Sequence, residues 1–370
     1  MSDTRGDTTV AARNEYAPDM VSAPGETLLE TLDALGMSQA ELARRIGRPK
    51  KTINEIVQGK ATITAETALQ LERALGVPAT FWLRREAEYR EALARLDECD
   101  HLNDWRDWLK ELPLAMMRKR GLLSATRDKS AQVLEALRFF GVASPEAWRE
   151  VWAQEAVAFR STAPAGDRLG KVATWLREGE IEAQALDCAP YDAAAFRAAL
   201  ARIRTLTTAA PGVFQPEMER LCAEAGVAVV VTQEIAGAGV YGATRWLTPT
   251  KALLQLSLHY KSDDQFWFSF FHEAGHILLH RKREVFLIGA EVESEEEREA
   301  HAFAADMLIA PLEWRRFTRQ TEGYSRAAIM EFAAGVGIAP GIVVGRLQHE
   351  GRLGYDHCQD LKSRYAWSEE

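Results

Sequence analysis

Two histidines four residues apart flank a glutamate in the segment His272-Glu273-Ala274-Gly275-His276. On a helix, residues at this spacing share one face with about 5–6 Å between their Cβ atoms, so both imidazoles can bind one metal ion. Glu273 lies beside the first imidazole, where its carboxylate can accept a proton from water that attacks a carbonyl group. The alternative is a pair of core histidines on an amphipathic helix, although apolar residues already supply a buried surface there: Phe270, Phe271, Ile277 and Leu278. The spacing therefore predicts a zinc site with hydrolytic chemistry.

A catalytic zinc ion needs a third protein ligand from another element. His280 is excluded from that role, because residues eight apart on a helix are about 12 Å apart along the axis and His272 and His280 cannot share one ion. We expect His280 to support a ligand or to pack. The next helix starts near Ser294 and offers Glu297 and Glu299. Glu297 lies nearer the centre of the buried stripe of that helix, so it is the predicted ligand, while a capping box with Ser294 is its alternative role.

The elements before this helix are predicted from hydrophobic patterning. Residues 227–232, 239–245 and 252–258 are typical of strands, with turns between them and with Asp263 or Asp264 as the cap of the following helix. An exposed edge of the second and third strands would hold an extended substrate by strand addition. Residues 100–208 show helical patterns with tryptophans that we interpret as core anchors: Trp105, Trp108, Trp148, Trp152 and Trp175.

A second constellation lies near the N-terminus. Ser38 and Glu41 form a capping box, which predicts a helix over residues 39–46 that ends at Gly47. A second short helix over residues 49–57 follows. Two helices joined by a tight turn are typical of a helix-turn-helix unit, whose second helix enters the major groove of DNA.

The charge of this segment differs from that of the whole chain. The 370-residue chain has a formal net charge of −9, yet six basic residues against two acidic ones lie between Gly36 and Lys60. A solvated basic face on a helical bundle is the alternative to DNA binding. We expect base contacts from Lys50, Lys51, Thr52 and Asn54, and contacts to the DNA backbone from Gln39, Arg44 and Lys60.

Segments of this region resemble the HigA-type antitoxins of the Xre/Cro family. The similarity is carried by residues 37–43, 51–56 and 67–72 together with Phe81-Trp82-Leu83, and it covers residues 22–95. It implies a homodimer that binds double-stranded operator DNA, and it allows a toxin as a further partner. Pro49 stands where the family commonly has Ser, so a phosphate contact at that helix start is not implied.

The C-terminal region resembles the ImmA/IrrE family of metallo-endopeptidases over residues 212–353. The similarity is carried by Phe271-His272-Glu273-Ala274-Gly275-His276-Ile277-Leu278-Leu279-His280 and by Glu297-Arg298-Glu299-Ala300-His301-Ala302-Phe303-Ala304. It implies zinc, with manganese as a substitute in vitro, and Glu297 as the third ligand. The family has Asn or Asp where His301 stands here, a position that orients a ligating imidazole, so the metal affinity is expected to differ.

These observations together predict a mostly α-helical protein with a small α+β peptidase domain. We expect a flexible arm over 1–23, a lambda-repressor-like helical bundle over 24–95, a helical middle domain over 96–210, a zincin-like domain over 211–354 and a tail over 355–370. Neither a secretory signal nor a run of about 18 apolar residues is present, which predicts a cytoplasmic protein without membrane contact. Four dispersed cysteines indicate neither disulfides nor a thiolate zinc site.

The expected function is a DNA-binding regulator fused to a zinc peptidase. Members of the resembled peptidase family cleave helix-turn-helix repressors or antitoxins, which implies a stress, phage or toxin–antitoxin circuit. One alternative is an antitoxin-like transcription factor whose zinc is structural or sensory. Another is a protease whose DNA-binding unit only holds it near its substrate.

Overall fold

The computed structural model describes residues 22–157, 167–258, 261–280, 286–288, 294–320 and 323–367. The chain divides between Asp104 and Trp105 into two compact units, each of which is described below by itself. The described residues are mostly helical, with one small sheet in the C-terminal unit. This architecture confirms the predicted fold class.

The N-terminal unit is a bundle of short helices that begins in its described part at Pro24. Its helices are α1 (Pro24–Ala34), α2 (Gln39–Ile46), α3 (Lys50–Val57), α4 (Ala65–Leu75) and the longer α5 (Ala79–Asp104). Fully buried side chains from all five helices form its core: Leu28, Leu42, Ile53, Leu71 and Trp82. Burial of each such side chain stabilises the unit by about 1.5–3 kcal/mol.

Local signals begin and end α2 and α3 much as expected. The Ser38 hydroxyl accepts the backbone N–H of Glu41 at 3.2 Å, and Gly47 ends α2 in the left-handed conformation with φ 67°. The second helix starts one residue later than predicted, because Pro49 is its N-cap in extended conformation. Gly25 lets α1 approach α3, since a Cβ at this position would lie 2.4 Å from the Cα of Val57.

The C-terminal unit opens with helices that precede the sheet. They are a 3-10 helix (Trp105–Glu111), α6 (Leu114–Lys119), α7 (Lys129–Phe140), α8 (Pro145–Val157), α9 (Asp167–Ala185), α10 (Ala193–Thr205), a 3-10 turn (Leu206–Thr208) and α11 (Pro211–Glu224). Trp108, Trp148, Trp152 and Trp175 are buried, in keeping with their interpretation as core residues, whereas Trp105 is only half-buried. Helix α9 packs on the sheet, where the side chain of Gln255 donates to the carbonyl of Trp175 at 2.7 Å. The division at residues 210 and 211 into two domains stays a prediction.

The sheet has the strand order β1-β3-β2-β4 in the part of the chain that the structure describes. Its strands are β1 (Val227–Val231), β2 (Gly242–Thr248), β3 (Lys251–Leu256) and β4 (Phe286–Ile288). Strands β1 and β3 are parallel, while β2 pairs antiparallel with β3 and with β4. The expected exposed edge is wrong for the third strand, because β3 lies inside the sheet. Within the described residues, strand β4 pairs only with Gly242–Thr244 of β2, so an edge along the rest of β2 stays a prediction. The short β4 escaped prediction because three residues show no periodicity.

The helices after β3 surround the candidate site. They are α12 (Asp263–Leu279), α13 (Glu295–Leu308), α14 (Pro311–Gln320), α15 (Arg326–Val336) and α16 (Pro340–His349), followed by a 3-10 turn (Gln359–Leu361). The N-cap of α12 is Ser262, so the expectation that an aspartate caps this helix is wrong. Asp263 and Asp264 lie in its first turn, where the helix dipole favours a negative charge.

Helices α15 and α16 contribute to the core of this unit through Ile329, Val343, Val344 and Leu347. No single helix in the described ranges is long and apolar enough to cross a membrane. Helices α15 and α16 together are, by length and composition alone, although they are bent by 115° relative to each other.

Candidate functional site

Three predicted ligands converge between α12 and α13. The Nε2 atoms of His272 and His276 are 3.0 Å apart. The carboxylate of Glu297 lies 3.1 Å from Nε2 of His272 and 3.4 Å from Nε2 of His276. Ligand atoms of a tetrahedral zinc site with bonds of about 2.1 Å are separated by about 3.4 Å, so this spacing is close to that of ligands around one ion.

Close packing of the two helices makes this convergence possible. Gly275 faces α13, where a Cβ would lie 3.1 Å from a ring carbon of Phe303 and 3.3 Å from the Cα of Ala300. On α13, the Ser294 hydroxyl accepts the backbone N–H of Glu297 at 3.1 Å. Only the backbone N–H of Glu297 takes part in this cap, so its side chain can contact both imidazoles from the first turn of α13.

Burial sets the charge states of this group. It lowers the pKa of His272, and it lowers the pKa of His276 to about 4, which leaves both imidazoles neutral at neutral pH. Partial burial works to raise the pKa of Glu297, but the hydrogen bonds to the two histidines outweigh it and hold that pKa below its usual range. Two neutral imidazoles and an ionised carboxylate form a donor set suited to a divalent cation.

Glu273 is fully buried, and its carboxylate contacts a residue that the sequence analysis missed. The hydroxyl of Thr244 on β2 donates to one carboxylate oxygen of Glu273 and lies 3.2 Å from its backbone carbonyl. Burial raises the pKa of Glu273 well above its usual range, and the Thr244 hydrogen bond opposes this shift. In the sequence, the signal for Thr244 is a hydroxyl side chain within a predicted strand, and the structure shows that this part of the strand is buried.

His280 and Glu299 form a chain behind His276. The Nδ1 atoms of His276 and His280 are 2.9 Å apart, and Nε2 of His280 lies 3.1 Å from the carboxylate of Glu299. The structure thus places Glu299 beside His280, whereas Glu297 contacts the two predicted ligands of α12. Partners of this kind fix the tautomer and the orientation of a ligating imidazole.

His301 lies one turn after Glu297 on α13. Its Nδ1 is 2.8 Å from the Glu297 backbone carbonyl, and its ring centroid is 4.5 Å from that of His272. A carbonyl oxygen only accepts hydrogen bonds, so Nδ1 carries the proton and Nε2 keeps a lone pair. Ligand atoms of His272, Glu297 and His301 all lie within 4.8 Å of one another. His301 can therefore offer a further nitrogen to the same ion.

The predicted DNA-contacting residues lie on two helices and a turn of the N-terminal unit. Lys50, Lys51 and Asn54 are exposed on α3, while Thr52 is half-buried. Arg44 on α2 and Lys60 after α3 are exposed, and Gln39 at the start of α2 is half-buried. The neighbouring Arg48 contacts α4 instead, at 2.9 Å from Gln70 and 3.0 Å from Glu66. The opposite side of α3 carries the buried Ile53 and Ile56.

Comparisons with known proteins match the N-terminal and the C-terminal units to different families. Residues 28–82 match the helix-turn-helix family, and residues 222–332 match the IrrE N-terminal-like domain of the M78 peptidases. Virulence-associated protein A of Dichelobacter nodosus is 37% identical over 84 residues, which are 22% of this chain and 78% of that protein. Virulence-associated protein I of the same organism is 40% identical over 76 residues, or 20% of this chain and 70% of that protein.

Solved structures similar to this chain include an addiction module antidote protein of the HigA family from Coxiella burnetii. Its identity is 32%, it covers 23% of this chain and 92% of its own, and the TM-score is 0.22. The Pseudomonas aeruginosa antitoxin HigA with the higBA promoter is also 32% identical, covering 22% of this chain and 90% of its own with a TM-score of 0.22. From the two family matches and the identity to virulence-associated protein A, the chain belongs to the helix-turn-helix proteins through residues 28–82 and carries an IrrE-like domain of the M78 peptidases in residues 222–332.

Proposed function

We propose that this chain is a transcriptional regulator whose C-terminal unit is a zinc-dependent metallo-endopeptidase that cleaves a helix-turn-helix repressor or antitoxin. The observation that carries the proposal is the convergence of His272, His276 and Glu297 beside the buried carboxylate of Glu273. Three ligands and an adjacent general base are the set that peptide hydrolysis at a metal requires.

The residues present fit a zinc ion. The two Nε2 atoms and the Glu297 carboxylate lie 3.0–3.4 Å from one another, close enough to bind one cation when the imidazoles offer lone pairs in place of the N–H groups that contact Glu297. Imidazole nitrogen and carboxylate oxygen are ligands that zinc accepts in catalytic sites. When bound there, a divalent ion would polarise the carbonyl group of a peptide bond and increase the acidity of water.

The side chains of this chain would carry the remaining steps. Glu273 accepts the proton of the attacking water, whose oxygen forms a bond to the carbonyl carbon, and returns the proton to the amine that leaves as the C–N bond breaks. Thr244 holds its carboxylate, while His280 and Glu299 orient the imidazole of His276.

The helix-turn-helix unit supports a regulatory role for this peptidase. Lys50, Lys51 and Asn54 form the exposed face of the helix that enters the major groove in such units. A homodimer of this protein that binds operator DNA through this face would bring the peptidase close to other proteins at the same promoter. A repressor or antitoxin encoded nearby is therefore the proposed substrate, with a toxin as a further partner.

A second candidate function is an antitoxin-like transcription factor whose metal is structural or sensory. The position of His301 favours it, because a fourth protein ligand would close the site to water. Structural zinc sites have four protein ligands, whereas catalytic sites keep one position open.

Replacement of the general base separates the two functions. We expect Glu273→Gln to retain the metal content of the wild type and to lower the rate of cleavage about 10²- to 10⁴-fold. The test compares the proteomes of cells that express wild type or Glu273→Gln, with new protein termini mapped by mass spectrometry. Asp306→Asn, which removes an exposed carboxylate on α13, is the matched control. New termini that appear equally with Glu273→Gln would assign the site to the second function.

A further inference from the structure

A cavity of about 350 Å³ adjoins the metal cluster. His272 and His301 line it on the side of the cluster, and its remaining walls come from α12, α13 and α16 with the residues that follow them and from Tyr241 before β2. Because His272 belongs both to the cavity and to the ligand group, whatever occupies the cavity lies next to the bond that the metal site would cleave. The volume is at the lower end of ligand pockets, which span about 300–1,000 Å³.

The walls of the cavity are largely apolar. Phe268 comes from α12, Leu308 and Ile309 from the end of α13, and Ile342 from α16. The last three side chains are 3%, 0% and 4% exposed, so they are firmly packed behind the cavity surface. Apolar walls of this kind favour an apolar occupant, since each buried CH₂ group contributes about fourfold to binding.

The charged groups near the cavity are neutralised within the fold. Arg346 donates to the carbonyls of Ala305 at 2.9 Å and Ile309 at 3.2 Å, and it pairs with Glu350 at 3.2 Å. Asp264 pairs with Lys362 at 2.7 Å. Arg346, Glu350 and Asp264 are therefore each paired with a group of opposite charge within the fold.

We propose that this cavity binds a large apolar side chain, of the size of Leu, Met or Phe, from the substrate residue next to the cleaved bond. The proposal rests on the proposed peptidase function and names its substrate class. Apolar segments of this kind are normally buried in a folded repressor. Cleavage thus requires a segment that opens by local unfolding.

Binding and cleavage test the cavity separately. In the first measurement, zinc-loaded protein is titrated by calorimetry with the acetylated hydroxamates of glycine, leucine and phenylalanine. The hydroxamate group binds the metal, and the amino-acid side chain can then enter the cavity. We expect the leucine and phenylalanine compounds to bind at least about tenfold more tightly than the glycine compound. The second measurement digests a random peptide library and maps the cleavage sites, where large apolar residues should be enriched at one position.

Matched variants assign the effect to this cavity. Ala305 is half-buried and lines the cavity, whereas Ala302 is exposed on the same helix and does not. Ala305→Leu should remove the tenfold preference and shift cleavage to smaller residues, while Ala302→Leu should change neither. Ile342→Ala enlarges the cavity from the opposite wall and should favour phenylalanine over leucine, which keeps the test open if Ala305→Leu misfolds.

The outcomes distinguish the two proposals. Equal affinity for the three hydroxamates, no binding of any, or identical profiles for Ala305→Leu and Ala302→Leu would overturn the cavity assignment, even in a protein that cleaves peptides. A side-chain preference in binding without any cleavage would keep the cavity as an apolar binding site and remove the proposed peptidase function.

Discussion

Thr244 lies outside the His272–His276 motif, yet its hydroxyl contacts the carboxylate of Glu273 within it. A carboxylate that is completely buried needs a donor, and the Thr244 hydroxyl supplies one to one of its oxygens. The other oxygen of Glu273 has no hydrogen-bond partner among the described residues. The carboxylate is therefore held by a single hydroxyl, and its second oxygen keeps its lone pairs free to accept a proton.

Removal of that hydroxyl should impair catalysis without loss of metal. We expect Thr244→Val to lower kcat at least about tenfold and to destabilise the fold by about 1–3 kcal/mol, because a buried acceptor loses its donor. Thr244→Ser, which keeps the hydroxyl, should restore most of kcat. Thr248→Val on the exposed end of the same strand is the control. Peptide cleavage kinetics, metal analysis and thermal unfolding provide the readouts, and an unchanged kcat in Thr244→Val would contradict the assigned role.

The choice between the two glutamates of α13 is also a residue-scale prediction. Glu297 contacts both imidazoles, whereas Glu299 contacts His280. Elemental analysis should find about one zinc per chain in the wild type and clearly less in His272→Ala, His276→Ala and Glu297→Ala. Glu299→Ala should keep most of the metal. If Glu299→Ala lost the zinc and Glu297→Ala retained it, the ligand assignment would be reversed.

At the scale of the elements, the start of α12 lies against α16. Asp263 is buried there, and Gly341 makes room for it, since a Cβ at Gly341 would lie 2.4 Å from its carboxylate. Burial raises the pKa of Asp263 to about 6, although hydrogen bonds with Ser363 and Asp264 act against this. Ionisation of this carboxyl group therefore works against the packing of the helix that carries the site.

This raised pKa predicts a pH dependence of stability. The folded pKa of about 6 exceeds the unfolded value of about 3.9, so the group favours folding below pH 4 and this contribution is lost as pH rises through 6. Between pH 4 and 8 the wild type should lose up to about 3 kcal/mol of stability that Asp263→Asn retains. Urea unfolding at several pH values measures the difference, with Asp306→Asn as control. Parallel curves for wild type and Asp263→Asn would show that the buried carboxyl group has no such effect.

The range of the interactions explains which elements could be predicted from sequence. The spacing of His272 and His276, the capping box at Ser38 and the helical phase of Glu297 are local patterns. The contact between Thr244 and Glu273 joins residues 29 apart, and the cavity wall at Ile342 belongs to a helix far along the chain. Such contacts depend on how α12, α13, α16 and the sheet pack together, and no local pattern encodes that packing.

At the scale of the whole molecule, the overall charge of the chain opposes the proposed binding to DNA. The chain has a formal net charge of −9, which opposes nonspecific binding to DNA. The basic residues of the N-terminal unit are concentrated between Gly36 and Lys60, and some are paired internally, as Arg48 is with Glu66. DNA affinity is therefore expected to depend on a few exposed cations and on base contacts, and not on the overall charge.

That expectation can be tested by fluorescence anisotropy with the promoter of the protein's own operon and with unrelated DNA. Each phosphate neutralised contributes about −0.9 to the slope of log K against log salt, so affinity should fall steeply as salt rises. Lys60→Ala should weaken binding to both DNAs alike and reduce the slope by about one unit. Lys51→Ala and Asn54→Ala, on the exposed face of α3, should instead reduce the preference for the promoter, since a lost base contact costs about 1–3 kcal/mol of discrimination.

Lys119→Ala removes an equal charge from an exposed site of the C-terminal unit and should leave both affinities unchanged. Binding that responds to Lys119→Ala as strongly as to Lys60→Ala would show that net charge, and not the helix-turn-helix face, governs the interaction.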